Sequence, residues 1–443
     1  MSSRRLVTLT ALATAHVTLL ACALEASDGR EPRPGRYVGM ASCANGFCHG
    51  ATAPRDSTSV LQNEYPTWML GPHRGAYRTL TSDQSREIAR SLDPGGKPAH
   101  ERPDCLSCHL LSTPSGQSVP ALGETVFRED GISCEGCHGP AGGWRDRHFE
   151  ADWTHQQSLS AGMTDLRDPA RRAAVCLRCH LGAAGAAVDH RLIAAGHPRL
   201  YFELDNYTGQ MPRHWKLDRP HSVTGARAWA AGQVAAYRAA LALLAGHARR
   251  EGSWPELAEL NCEGCHHSLA SGAWRRLPGY RYRDGRPRFA ARHVVLSQLV
   301  AELAGSESER FETAVEQLAR SVATLGRPGD VADRADALIR VLDDVGPRIE
   351  GARWEVEQVR SLIRRLAAAR SRALTDLVAA EQTAFALQSL LGRWTELDRR
   401  RANSRLARAI DDVFRVLDDP VTFDRRRLDE LLAEIEELVS RSP

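Results

Sequence analysis

A chain of 443 residues is too long for one compact core and predicts two or three domains. With 42% hydrophobic and 26% charged residues it has the composition of a soluble globular protein. The formal charge of +3 is a near-balance of 58 basic against 55 acidic residues, with Lys97 and Lys216 the only lysines; no basic stripe interleaved with aromatics occurs, which argues against a nucleic-acid partner.

Residues 1–21 read as an export signal. Arg4 and Arg5 form a positive start, and Leu6 to Leu20 form an apolar stretch too short to span a bilayer comfortably. Leu19-Leu20-Ala21-Cys22 resembles a bacterial lipoprotein cleavage box, which would leave Cys22 as a lipidated N-terminus; cleavage after Ala23 or Ala26 without a lipid is the alternative. The expectation is an exported, periplasmic protein, anchored to the membrane as a lipoprotein. Residues 22–37, with Gly29, Pro32, Pro34 and Gly35, read as a flexible tether.

From about residue 38 to 285 the chain is broken by Gly and Pro, and all ten remaining cysteines fall in five pairs. The pairs are Cys43/Cys48, Cys105/Cys108, Cys134/Cys137, Cys176/Cys179 and Cys262/Cys265. A histidine follows each second cysteine: His49, His109, His138, His180 and His266. Four pairs are C-x-x-C-H; the first is C-x4-C-H, with Gly46 supplying the freedom for a bulged loop. Only 17 of 443 residues are His, so five trailing histidines in five motifs are not coincidence. Disulfides would explain the even number of cysteines but not the histidines, and a thioredoxin-like motif explains one pair rather than five. Zinc knuckles would need paired four-ligand clusters, unusual in an exported protein. Covalent haem needs Cys, Cys and His in that order: two thiols on one helical face add to the two vinyl groups of a porphyrin, and the adjacent imidazole binds its iron. The motifs therefore predict five covalent haem c groups.

Each iron has a sixth position, and eleven histidines lie outside the motifs and the signal. The favoured distal ligands are His73, His148, His190, His197 and His267, with His214 next. His73 sits in the Trp68-Met69-Leu70-Gly71-Pro72-His73 loop, and His148 follows Trp144. His190 and His197 are seven apart, on one face of any helix that spans them. His267 adjoins His266, so it cannot serve the same iron, but it could reach a neighbouring haem.

Within this segment Ala226 to Arg249 is Ala/Leu-rich and predicts one long helix ending near Gly252, followed by a short helix from about Pro255. After residue 286 helical periodicity takes over. Phe311, Val315, Leu318, Val322 and Leu325 share one face, with Ser306 and Glu309 as a capping box and Gly326-Arg327-Pro328 as the stop. Further helices are expected from Asp330, over about 351–391, through Leu406 to Leu417, and through Leu428 to Leu438. The fold class is mainly α: a loop-rich multihaem cytochrome c domain (38–285) followed by an all-α helical bundle (286–443) whose charged face is solvated.

Residues 37–285 resemble the cytochrome c-554-like multihaem family, related in haem arrangement to hydroxylamine-oxidising cytochromes. The features are Ser42-Cys43-Ala44 with Cys48-His49-Gly50, Trp68, His73 and Tyr77, Cys134 through Pro140, Ala195-Gly196-His197-Pro198-Arg199-Leu200, and Cys265-His266-His267. The resemblance implies a mostly helical fold, close-packed haem pairs, bis-histidine irons and periplasmic electron transfer; five motifs instead of the family's usual four are a departure. Two function classes follow. One is a relay passing electrons between neighbouring haems to redox partner proteins such as other cytochromes. The other is a redox enzyme with one open iron acting on a small nitrogen or sulfur species. The absence of a C-x-x-C-K motif and the supply of histidines favour the relay. With the signal removed (+3 less Arg4 and Arg5 gives +1) and about −1 added per ferric haem, the holoprotein charge is about −4, which favours small basic redox partners.

Overall fold

The computed structural model describes residues 35–55, 57, 60–113, 125–183, 185–216, 225–262, 265–266, 288–398, 404–418 and 424–441. The chain forms two units. One comprises Met1–Val38 with Gly139–Met163, the other Gly39–His138 with Thr164–Pro443.

The described part of the first unit is small. Gly142 N–H donates to the Arg36 carbonyl (2.9 Å), and the His148 ring stands edge-on to the buried Trp144 at 5.3 Å. A reciprocal Thr154–Gln157 capping box opens the helix His155–Ser160.

The second unit is helical, and among its described residues extended pairing is confined to the isolated bridges Ala183–Ala186 and Leu260–Phe289. Its N-terminal part consists of short helices between loops: α1 (Glu64–Met69), α2 (Asp83–Leu92), α3 (Pro103–His109), α4 (Cys134–His138), α5 (Pro169–His180), α6 (His190–Ala194) and α7 (Leu204–Gln210). Local chemistry sets several starts. The Ser82 hydroxyl caps α2 through Ser85 N (3.2 Å), Asp168 caps α5 through Arg171 N (2.9 Å), and Asp189 caps α6 through Leu192 N (2.8 Å). Pro103 and Pro169 stand in first turns, where no N–H is needed.

The predicted long helix is α8 (Ala226–Arg249). It shares one apolar core with α9 (Val294–Leu303), α10 (Ser308–Ala323), α11 (Pro328–Glu350), α12 (Val356–Ala368), α13 (Leu377–Leu397), α14 (Ser404–Leu417) and α15 (Arg425–Arg441). Trp229, Leu244, Leu299, Phe311, Leu338 and Leu342 lie fully buried there. The opposite side of α8 completes a smaller cluster, in which Ala228 and Ala240 meet Ala173, Leu177 and Leu181 of the α5 end together with Phe202 and Leu204. α8 therefore lies between the helix that carries the fourth cysteine motif and the bundle.

Four local expectations differ from the structure; one is Leu325, which lies past the end of α10 at φ +48° and is exposed rather than on the apolar face. The helix expected over 351–391 is interrupted: α12 ends at Ala368, the single turn Arg370–Ala373 follows, and Asp376 caps α13, its carboxylate accepting from Ala379 N (2.7 Å) and from Ala291 N of another segment (2.9 Å). A 3-10 turn, Gly305–Glu307, occupies the place of the Ser306 capping box and leads directly into α10. Past Pro255 the chain forms only the single turn Leu257–Glu259 before the last motif.

Candidate haem-binding site

Three of the five cysteine motifs are delivered by helices, while the described residues of the first and last lie in turns. Cys105, Cys108 and His109 end α3, Cys134, Cys137 and His138 make up α4, and Cys176, Cys179 and His180 end α5. Helical winding puts both thiols of a C-x-x-C pair on one side and leaves the histidine at the exit of the turn. None of the ten motif cysteines is engaged in a disulfide.

Four motif histidines each face a second histidine ring from elsewhere in the fold. Ring centroids lie 6.2 Å apart for His180 and His73, 6.4 Å for His109 and His197, 6.5 Å for His138 and His214, and 6.2 Å for His266 and His190. The first three pairs are near-perpendicular, at 86°, 88° and 76°; the fourth is tilted by 31°. This separation is too long for stacking or a direct hydrogen bond between rings. Two collinear metal–nitrogen bonds of about 2 Å, plus about 1 Å from each nitrogen to its ring centre, place opposed imidazoles roughly 6 Å apart. The spacing fits an iron between each pair, with the porphyrin plane in the gap.

The ring orientations are fixed from behind. His109 Nδ1 lies 2.9 Å from the Ala76 carbonyl, His197 Nδ1 2.7 Å from that of Pro198, and His214 Nδ1 3.1 Å from that of Pro212. With Nδ1–H donating to these oxygens, Nε2 is left unprotonated, the form that binds iron. Burial pushes the imidazoles of His73 and His109 below their usual value, and takes that of His180 down to about 4 with help from His73, so the neutral ring is favoured. The His73 loop is tied to the third motif. Ile132 N–H donates to the His73 carbonyl (3.0 Å), Trp68 Nε1 donates to the Ile132 carbonyl (2.9 Å), and Gly131, at φ +56°, lets the chains approach where a Cβ would meet the His73 oxygen at 2.6 Å.

The cysteines of different motifs also meet. The Cys43 and Cys134 thiols lie within hydrogen-bonding reach of each other, as do those of Cys108 and Cys179; Cys137 is an electrostatic neighbour of both Cys176 and Cys179. Part of the lowering at His73 comes from His214, a member of a different ring pair. The cysteine motifs thus neighbour one another in the order first, third, fourth, second.

Of the remaining sequence candidates, His148 lies in the first unit, with Nδ1 2.6 Å from the Arg145 carbonyl. His267 and Cys22 lie outside the described residues. His214, ranked below the five favoured residues, is the one that faces His138. His293, at the start of α9, packs instead against Tyr237 (6.2 Å).

Residues 42–139 match the family described as cytochrome c554 and c-prime, a span that includes the first three motifs. Over this segment the chain is similar to cytochrome c554-like c-type cytochromes. That similarity implies covalently bound haem c, with its iron, on the matched segment. No curated protein and no solved structure matches the chain.

Proposed function

We propose that this cytochrome c554-like protein carries five haems, one on each cysteine motif, and relays electrons between them. The observation that supports this reading is the set of four opposed imidazole pairs, each with one ring from a motif and one from a distant loop or helix. An iron held on both faces has no open position for a substrate, so four such irons suit transfer rather than turnover. Cys43, Cys48, Cys105, Cys108, Cys134, Cys137, Cys176, Cys179, Cys262 and Cys265 form the thioethers. His49, His109, His138, His180 and His266 are the proximal ligands. His73, His190, His197 and His214 are distal ligands, and His148 is a further candidate.

The approach of Cys43 to Cys134, of Cys137 to Cys176 and of Cys108 to Cys179 brings porphyrin edges together, as a relay requires. Within this reading the protein is exported, held at the periplasmic face of a membrane by a lipid on Cys22, and exchanges electrons with redox proteins such as other cytochromes. Expression with a haem-maturation system, followed by intact mass and a pyridine haemochrome assay, should count five haems per chain. A count of four would remove one motif, and a colourless product would refute the reading.

A further inference from the structure

The imidazole of the first motif is backed differently from those of His109, His197 and His214. Where His109, His197 and His214 turn Nδ1 to a backbone carbonyl, His49 turns it to a carboxylate, with Glu64 Oε2 at 3.0 Å. This carboxylate is built in rather than a passing surface partner. Its other oxygen accepts from Leu61 N (2.9 Å) and Gln62 N (3.1 Å), the latter at the unusual φ of +60°, and Tyr65 N–H donates to the His49 carbonyl (2.9 Å). Only 14% of the Glu64 side chain is exposed. The first residue of α1 and the first motif histidine are thus clamped at two points.

A carbonyl accepts the Nδ1–H and leaves the ring neutral. A carboxylate draws the proton further and adds a negative charge, so the ring becomes a stronger donor with imidazolate character. That stabilises ferric over ferrous iron and lowers the one-electron potential, since second-shell hydrogen bonding is one of the protein's levers on haem iron. Resting on the reading that the Cys43/Cys48 motif carries a haem on His49, we propose that Glu64 is a positioning residue that makes this haem the lowest-potential centre of the relay. The first motif is then the end at which electrons are most reducing, and Fe(II) there gives one electron to the neighbouring Fe(III) site reached through Cys134.

The test is a spectroelectrochemical titration of the full-length holoprotein, with haem content measured in parallel. In Glu64→Gln the lowest-potential component should rise by about 59 mV or more, a tenfold change in the ferric-to-ferrous ratio at fixed potential, while the other components stay in place. Glu64→Asp should return it towards the wild-type value. The Cys43→Ala/Cys48→Ala double variant should lose that component altogether, and this holds even if Glu64→Gln loads haem poorly. Survival of the lowest component in the double variant, or an unmoved potential in a fully loaded Glu64→Gln protein, would overturn the assignment. A wild-type protein without a haem on the first motif would instead defeat the reading beneath it.

Discussion

At the scale of single residues, buried carboxyls do the bracing. Glu203 caps α7, with Oε1 accepting from Asp205 N (2.9 Å) and Oε2 from Asn206 N (2.7 Å). Burial, with the charge of Asp205 added, pushes its carboxyl from an ordinary 4.5 up to about 7. A carboxyl whose value is raised by folding binds its proton more tightly in the folded state. Its contribution is therefore fully present below the unfolded value and is lost as pH rises through about 7. Urea unfolding should show the protein more stable near pH 5 than near pH 8 through this group, by up to about 3 kcal/mol. In Glu203→Gln that part of the pH dependence should vanish; an unchanged profile would show that Glu203 does not carry it. Residue chemistry was also the most legible part of the sequence. Spacing alone marked the cysteine motifs, because thioether attachment demands a fixed order of side chains. The facing rings were only partly legible: His73, His190 and His197 sat in suggestive contexts, but nothing local separated His214 from the other histidines. Glu64 carried no signal, since its role depends on a loop that brings residues 49 and 64 together.

Helices explain why a bundle follows the motifs. α13 braces the segment that supplies two of the facing histidines. Arg199, two residues after His197, pairs with Glu381, the Tyr201 ring stacks on Phe385 at 6.2 Å and 11°, Gln382 Nε2 donates to the Phe202 carbonyl (3.3 Å), and Asn206 donates to Ser389 (3.2 Å). α8 seats the end of α5 by apolar contact, fixing Cys176, Cys179 and His180. Truncating Phe385 to Ala removes a ring that is 9% exposed and should cost about 3 kcal/mol in chemical unfolding. The same variant should broaden or shift the low-spin signal of the His109–His197 site. A full loss of stability with an untouched haem spectrum would show that α13 packs without bracing. Helical periodicity marked most of these elements correctly from α8 onward. It failed between Ala369 and Asp376, where α12 stops, a single turn intervenes and Asp376 starts α13 afresh, in a stretch that composition alone reads as continuous.

Across the whole molecule, the second unit combines a motif-bearing part poor in apolar side chains with a bundle rich in them. Five porphyrins would supply the burial that the first part lacks, so removing haem should unfold the motif segment before the bundle. The sequence foreshadowed this contrast through Gly/Pro breaks on one side and amphipathic repeats on the other. It could not foreshadow that α8 belongs to the bundle's core, because a long Ala/Leu helix reads the same wherever it packs.

Electron paramagnetic resonance of the fully oxidised holoprotein tests most directly whether the opposed imidazoles close on iron. Perpendicular ligand planes leave the iron's two π-accepting orbitals nearly degenerate and give highly anisotropic low-spin signals, whereas more aligned planes give rhombic ones. The geometry predicts three highly anisotropic low-spin sites, from the 76–88° pairs, and a rhombic one from His190–His266 at 31°. A spectrum dominated by high-spin ferric haem would contradict it.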